Sequence, residues 1–287
     1  MEWQNLARVS RRNPPAVLSL LFLATVLGMA AGAPLLTHYG TEEIDLGRIM
    51  EGPGWDHWLG TDENGRDVFS RLIYGARVSL SVALAAVAMS VSVGSLLGAL
   101  SGFFGGLVDH FTMRLTDALL CIPTFFLLLT ILTLFGTTIV NIVLVIGLTS
   151  WMGVARLVRG EFLKFRALEF VTAARALGAE DQRIIFRHIL PQTIPAVTVA
   201  STLGVALAIL TESALSYLGL GVQPPRPSWG NMLSASQSYI WNAPQLAVYP
   251  GLMILLTVLA FNALGEGLRD LLDPQREREG RRGSERV

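Results

Sequence analysis

Long apolar runs separated by short polar segments dominate the chain. Six runs are long enough to cross a bilayer, at about 15–37, 77–101, 118–136, 137–157, 196–220 and 246–267. A hydrocarbon core of about 30 Å needs about 20 apolar residues in a helix. The third and fourth runs are divided only by a tight turn near Gly136, which predicts a helical hairpin. The second run contains Ser81, Ser90, Ser92, Gly94, Ser95 and Gly98. Small residues let helix backbones approach closely in lipid, where packing replaces the hydrophobic drive, so this run is expected inside a bundle. The first run follows Arg8, Arg11 and Arg12, as the core of a signal peptide would, and "MAAGAP" offers small residues for cleavage. A signal core is usually about 7–15 residues, and this run is longer, so a retained spanning helix is expected.

Composition points the same way. The 287 residues are 52% hydrophobic and 15% charged, where soluble domains carry about 25% charged residues. The zero net charge gives no reason to expect nucleic acid as a partner. A single cysteine, Cys121, excludes a disulfide within the chain. The placement of charge is more informative than its total. With the N-terminus inside, segments 1–14, 102–117, 158–195 and 268–287, together with Arg156, hold 17 of the 22 Lys and Arg. The opposite side holds Arg48, Arg66, Arg71, Arg77 and Arg226, and its 38–76 segment is acidic. The positive-inside bias then predicts six spans with both termini cytoplasmic. The chain divides into 1–76, a first span with an extracytoplasmic segment; 77–267, a transmembrane domain interrupted by a cytoplasmic loop at 158–195; and a tail at 268–287. The tail's PQREREGRRGSERV is expected to be solvated and disordered.

The loop at 158–195 contains EFVTAARALGAEDQRIIFRHILPQ, residues 169–192. Read as a helix, 169–177 brings Phe170, Ala174 and Leu177 to one face, with Ala173 and Ala174 keeping it thin. Gly178 follows where a helix end often needs positive φ. A second helix is expected from about Ala179, with Glu180 and Asp181 in its first turn and Arg187 and His188 in its last, matching the helix dipole. Ile185 and Ile189 give it an apolar stripe, and Pro191 is expected to end it. Such a pair could lie on a membrane surface. Its thin alanine face before a glycine elbow fits a plug for a partner's groove better.

"AARALG" followed by "HILP" resembles the cytoplasmic loop of permease subunits of binding-protein-dependent ABC importers. Thr172 before the two alanines and His188 near the loop's end are shared with the dipeptide, oligopeptide and nickel branch. "HWLGTDENGRDVFSRLIYGARVSL", "GGLVDHFTMRLTDALLCIP", "LGLGVQPPRPSWGNML" and "LAFNALGEGLRDLLDP" resemble other stretches of that branch, in order across 57–274. The resemblance implies an all-α, six-helix permease of the type I ABC importer fold in a bacterial or archaeal inner membrane. It implies that Glu169, Phe170, Ala173, Ala174 and Gly178 lie on or beside a helix that docks into an ATPase cleft, with Leu190 and Pro191 as the closing LP. It further implies a paralogous permease as partner, two ATPase subunits that carry ATP and Mg, and an extracytoplasmic solute-binding protein. The expected solute is a di- or oligopeptide, with nickel or a metal chelate as the alternative.

The remaining chemistry is sparse. Asp62, Glu63, Asn64 and Asp67 lack the alternating ligands, central Gly and distal Glu of a calcium loop, so "GTDENGRD" reads as a capped turn. Glu212 lies within the fifth run, where a carboxylate should face a wet cavity or a partner. It is either a pathway residue that senses solute or a member of an interhelical hydrogen bond involving Ser213 or Ser216. Asp109, Arg114 and Asp117 are expected to pair along one helix end. His38, His57, His110 and His188 show no metal-ligand spacing, so no metal site is expected. No Walker lysine motif, HExxH, CxxC or Ser-His-Asp order occurs, which excludes ATP hydrolysis or proteolysis by this chain and any cofactor of its own. A stand-alone secondary transporter would show inverted repeats, and the halves 15–136 and 137–267 do not correspond.

Overall fold

A computed structural model describes residues 14–272. Of the tail expected at 268–287, residues 268–272 instead continue the last helix, while 273–287 and the Arg8, Arg11 and Arg12 cluster lie outside the described residues. Helices α1 (Pro14–Ala31) and α2 (Ala33–Leu36) are followed by an irregular segment and then by α3 (Val68–Phe104). Next come α4 (Gly106–Leu120), α5 (Thr124–Phe135), α6 (Ile139–Arg166) and α7 (Glu169–Ala176). Helix α8 (Asp181–Tyr217), α9 (Trp229–Ser236) and α10 (Gln245–Leu272) complete the described chain. Five of these helices are long and apolar enough to span a membrane, and α4 with α5 makes a sixth crossing when counted as one broken span.

Helix α3 begins nine residues before the expected span. Asp67 caps it by accepting a hydrogen bond from the Ser70 N–H at 2.7 Å. Its 37 residues extend about 55 Å, well beyond the hydrocarbon. The expected small-residue face is only partly the buried one. Gly94, Gly98 and Gly102 recur every four residues against α6. A Cβ on them would lie 2.7, 2.5 and 2.8 Å from the carbonyl oxygens of Trp151, Ala155 and Arg159. Ser90 is buried nearby, whereas Ser81 and Ser92 face outward and bond back to the carbonyls of Val78 and Ala88.

The third run is not one helix. It breaks at residues 121–123, and α4 and α5 meet at 83°. Pro123 has no N–H for the helix and pushes Ile122 away from helical backbone. The hairpin between α5 and α6 forms at Gly136, where the Asn141 side-chain amide donates to the carbonyls of Phe135 at 2.8 Å and Gly136 at 3.0 Å. Pro191 also behaves differently from expectation. It does not end a short helix, because α8 runs on to Tyr217. Ile184–Ile189 forms a π-helical turn, and α-helix resumes at Leu190. Pro191 thereby falls at the start of the renewed helix, where a missing N–H costs least.

The largest buried cluster includes Leu23, Val26, Leu80, Ala83, Leu132, Ile142, Ile209 and Trp229. Trp229 is fully buried and its Nε1–H donates to the Leu72 carbonyl at 3.1 Å. Leu18, Leu21, Leu207, Leu255 and Leu259 stay exposed on the outer helix faces, which suits lipid as the surrounding solvent. In the irregular segment, Asp62 organises the turn. Its Oδ1 accepts from the N–H groups of Asn64 at 2.8 Å and Arg66 at 3.0 Å. Its Oδ2 pairs with Arg66 at 2.7 Å and Arg71 at 3.3 Å. This is a capped, ion-paired turn, and no group of three metal-binding side chains occurs among the described residues.

Candidate functional site

Helix α7 is eight residues long and held to the bundle by one fully buried side chain. Val171 is 1% exposed and enters a cluster with Ala99 and Phe103 of α3, Val158 and Phe162 of α6, and Ile184, Ile185 and Ile189 of α8. Ala174, Ala179 and Leu190 pack around it. The Arg175 guanidinium lies 5.4 Å from the Phe103 ring centroid. Arg166 ties the end of α6 to α3 by donating to the Phe103 carbonyl at 2.5 Å.

Gly178 closes α7 with φ of 82°. Its N–H donates to the Arg175 carbonyl at 2.9 Å, and the Ala179 N–H reaches back to the Ala174 carbonyl at 3.0 Å. This pair of bonds is the Schellman arrangement, which requires a left-handed residue and therefore favours glycine. Arg175 and Asp181 face each other across the elbow at 3.8 Å.

The structure divides the face that the spacing had grouped. Ala174 turns with Val171 toward the bundle and is half-buried, whereas Phe170 and Leu177 are exposed, Leu177 at 88%. Glu169, Ala173 and Gly178 are exposed beside them, and Pro191 is exposed on α8. The outward surface therefore combines Glu169, Phe170, Ala173 and Leu177. Sequence reasoning passed over Val171, although its spacing of three from Ala174 marks a shared helix face. It had no means of finding Phe103 and Phe162, which come from distant helices.

Between α3, α5, α6 and α8 lies a cavity of about 620 Å³. Its wall is mostly apolar, with hydroxyls from Ser90, Thr149, Ser150, Ser201 and Thr211. Glu212 does not line it. The Glu212 side chain is fully buried and accepts hydrogen bonds from Ser79 at 3.0 Å and Ser216 at 2.7 Å, with Ser213 at 3.5 Å. Ser79 in turn accepts from the Trp229 N–H at 3.3 Å, and Ser216 from the Val222 N–H at 3.0 Å. The carboxyl group thus joins α3, α8 and the start of α9.

Asp109 and Asp117 pair across helices, not along their own as the spacing suggested. Asp109 takes the Arg159 guanidinium, with Nη2 to Oδ2 at 2.7 Å, and Asp117 takes Arg156 at 2.5 Å. Both partners lie on α6, and Arg114 stays outside both pairs.

A family model described as the binding-protein-dependent transport system inner membrane component matches residues 94–278. The chain belongs to this family. A second model, described as the N-terminal TM domain of oligopeptide transport permease C, matches residues 2–53 of the same permease. This transport component is similar to the glutathione transport system permease protein of Pectobacterium atrosepticum, at 40% identity over 95% of this chain and 91% of that one. It is similar to the dipeptide transport system permease protein of Alkalihalophilus pseudofirmus, at 39% identity over 95% of this chain and 90% of that one. Among solved structures, it resembles the inward-facing MetNI methionine ABC transporter with a TM-score of 0.56. That likeness covers 71% of this chain and 97% of the MetNI chain at 18% identity, and it shows the fold alone. The family is one of inner-membrane transport components, not of enzymes, and the spanning helices fit that location.

Proposed function

We propose that this permease forms half of the pathway of an ATP-driven importer for di- and oligopeptides, paired with a paralogous permease. The observation that carries the reading is the elbow, a thin helix keyed into the bundle by Val171 while Glu169, Phe170, Ala173 and Leu177 face outward. An ATPase cleft closing on that outward face would move α7. The buried cluster around Val171 would pass the movement to the ends of α3, α6 and α8 together, because close-packed side chains do not yield independently. Ala174 and Gly178 keep the helix seated and turned, and Leu190 and Pro191 carry the motion into α8. On this reading the elbow and both termini face the cytoplasm.

ATP and Mg belong to two partner ATPase subunits, and an extracytoplasmic binding protein delivers solute to the opposite side. Peptide is favoured as cargo because similar permeases are named for dipeptide and for glutathione, itself a short peptide. A nickel or metal-chelate importer is the alternative cargo reading. The apolar and hydroxyl-lined cavity between α3, α5, α6 and α8 is a reasonable wall for a passage that must accept varied peptides without holding them.

Uptake in a strain lacking this chain, with and without the chain restored, tests the proposal. Labelled dipeptide, labelled pentapeptide and radioactive nickel are offered side by side. Loss and rescue of peptide uptake is expected. Loss and rescue of nickel alone would reassign the cargo, and unchanged uptake of all three would overturn it.

A further inference from the structure

Helix α4 is oriented unlike the spanning helices around it. It meets α5 at 83°. Its two ion pairs give the direction independently. Asp109 and Asp117 are eight residues, or about 12 Å, apart along α4. Their partners Arg159 and Arg156 are three residues, or about 4.5 Å, apart along α6. A helix whose length maps onto so little of its neighbour's rise runs across that neighbour.

The depth of α4 follows from α6. No charged residue occurs from Ile139 to Ala155, a length of about 25 Å, close to that of the hydrocarbon core. Arg156 is the first charge, so its pairing with Asp117 places α4 at the hydrocarbon edge. The α5 side gives the same level. Twelve helical residues rise about 18 Å, and the three non-helical residues before them can add about 10 Å. The short helix and its break thus complete one crossing, and α4 ends where that crossing begins.

At this level α4 presents an apolar stripe with no protein over it in the described chain. Leu107, Phe111 and Leu115 recur every four residues at 88%, 72% and 41% exposure. Thr112 and Thr116, each one position and so about 100° further round the helix, are buried. We propose that α4 is an interfacial helix whose Leu107, Phe111 and Leu115 insert into the boundary between lipid headgroups and acyl chains. The bilayer is favoured over a second protein chain because the helix lies in the membrane plane at the hydrocarbon edge. There an amphipathic helix buries its apolar face about 5–10 Å deep. Asp109–Arg159 and Asp117–Arg156 then act as two pins that hold the surface helix to a spanning one.

The test uses the assembled transporter in lipid nanodiscs, with Cys121→Ser as background. Nitroxide labels are placed singly at Leu107→Cys, Phe111→Cys, Thr116→Cys and Asp56→Cys, the last on an exposed side chain of the irregular segment far from the elbow. Collisions with oxygen report lipid, and collisions with a water-soluble nickel chelate report solvent. Labels at 107 and 111 are expected to favour oxygen over the chelate by a larger ratio than the label at 56. The label at 116 should be shielded from both. Shielding from both at 107 and 111 would mean that a protein partner covers the stripe and would overturn the proposal, as would chelate access equal to that at 56. Leu107 is the more exposed position and provides the reading if Phe111→Cys impairs assembly.

Discussion

Ser79 on α3 donates a 3.0 Å hydrogen bond to Glu212 on α8, a residue 133 positions later in the chain. Around that bond the polar atoms of Ser216, Ser228, Val222 and Trp229 close into one buried network. It is the main polar link between the spanning helices and the loop that follows α8. Polar groups in such surroundings are costly unless each has a partner.

Replacing Glu212 with Ala should therefore be more damaging than its single acidic function suggests. Three buried hydroxyl donors, Ser79, Ser213 and Ser216, lose their acceptor, at a cost of about 1–3 kcal/mol for each left unsatisfied. Glu212→Gln keeps an acceptor oxygen and should lose less. Thermal unfolding of the purified protein in detergent, followed by tryptophan fluorescence, should order the proteins as wild type, Gln, Ala from highest to lowest Tm. Equal midpoints for Ala and wild type would show that the network contributes nothing to stability.

The elbow should respond to backbone chemistry more than to bulk. A Cβ at Gly178 would meet nothing within 4 Å, but its φ of 82° is one that L residues adopt at a cost of about 1–2 kcal/mol. Gly178→Ala is expected to reduce transport moderately. Gly178→Pro both fixes φ near −65° and removes the N–H that bonds Arg175. It should abolish peptide uptake while the amount of protein in the membrane, read by immunoblot, stays near normal. Full uptake by the proline variant would disprove coupling through this elbow.

The α3–α6 seam should respond the other way, to bulk alone. Gly98→Ala would place a methyl group 2.5 Å from the Ala155 carbonyl oxygen. Separating the two helices to relieve it should cost about 1–3 kcal/mol. Gly160→Ala, on α6 but with open space around its Cβ, is the control and should be neutral. Lower Tm for the first variant and an unchanged one for the second is the expected pattern in the same unfolding measurement.

Much of this architecture is legible in the amino-acid order. Runs of about 20 apolar residues define helices wherever lipid is the solvent, because a backbone in hydrocarbon must satisfy its own hydrogen bonds. The hairpin at Gly136 and the short helix ending at Gly178 rest on local chemistry, and both lie where spacing and glycine place them. Motif order across 57–274 was also enough to point to the transport family.

What the order of residues leaves open is everything set by distant partners. Whether Ala174 faces in or out depends on Phe103 and Phe162, which α3 and α6 bring to Val171. Asp109 finds Arg159 fifty residues away because α6 lies beside α4 in the fold, a neighbour that no local pattern encodes. Pro191 looks like a terminator, but a preceding π turn absorbs it. The third apolar run has the length of a single span, yet it divides at Pro123 into a surface segment and a crossing. Local hydrogen bonding and solvent preference are written in the chain itself. Face assignment, crossing angles and the pairing of buried polar groups are decided only when the helices pack, because their free energies belong to contacts between segments.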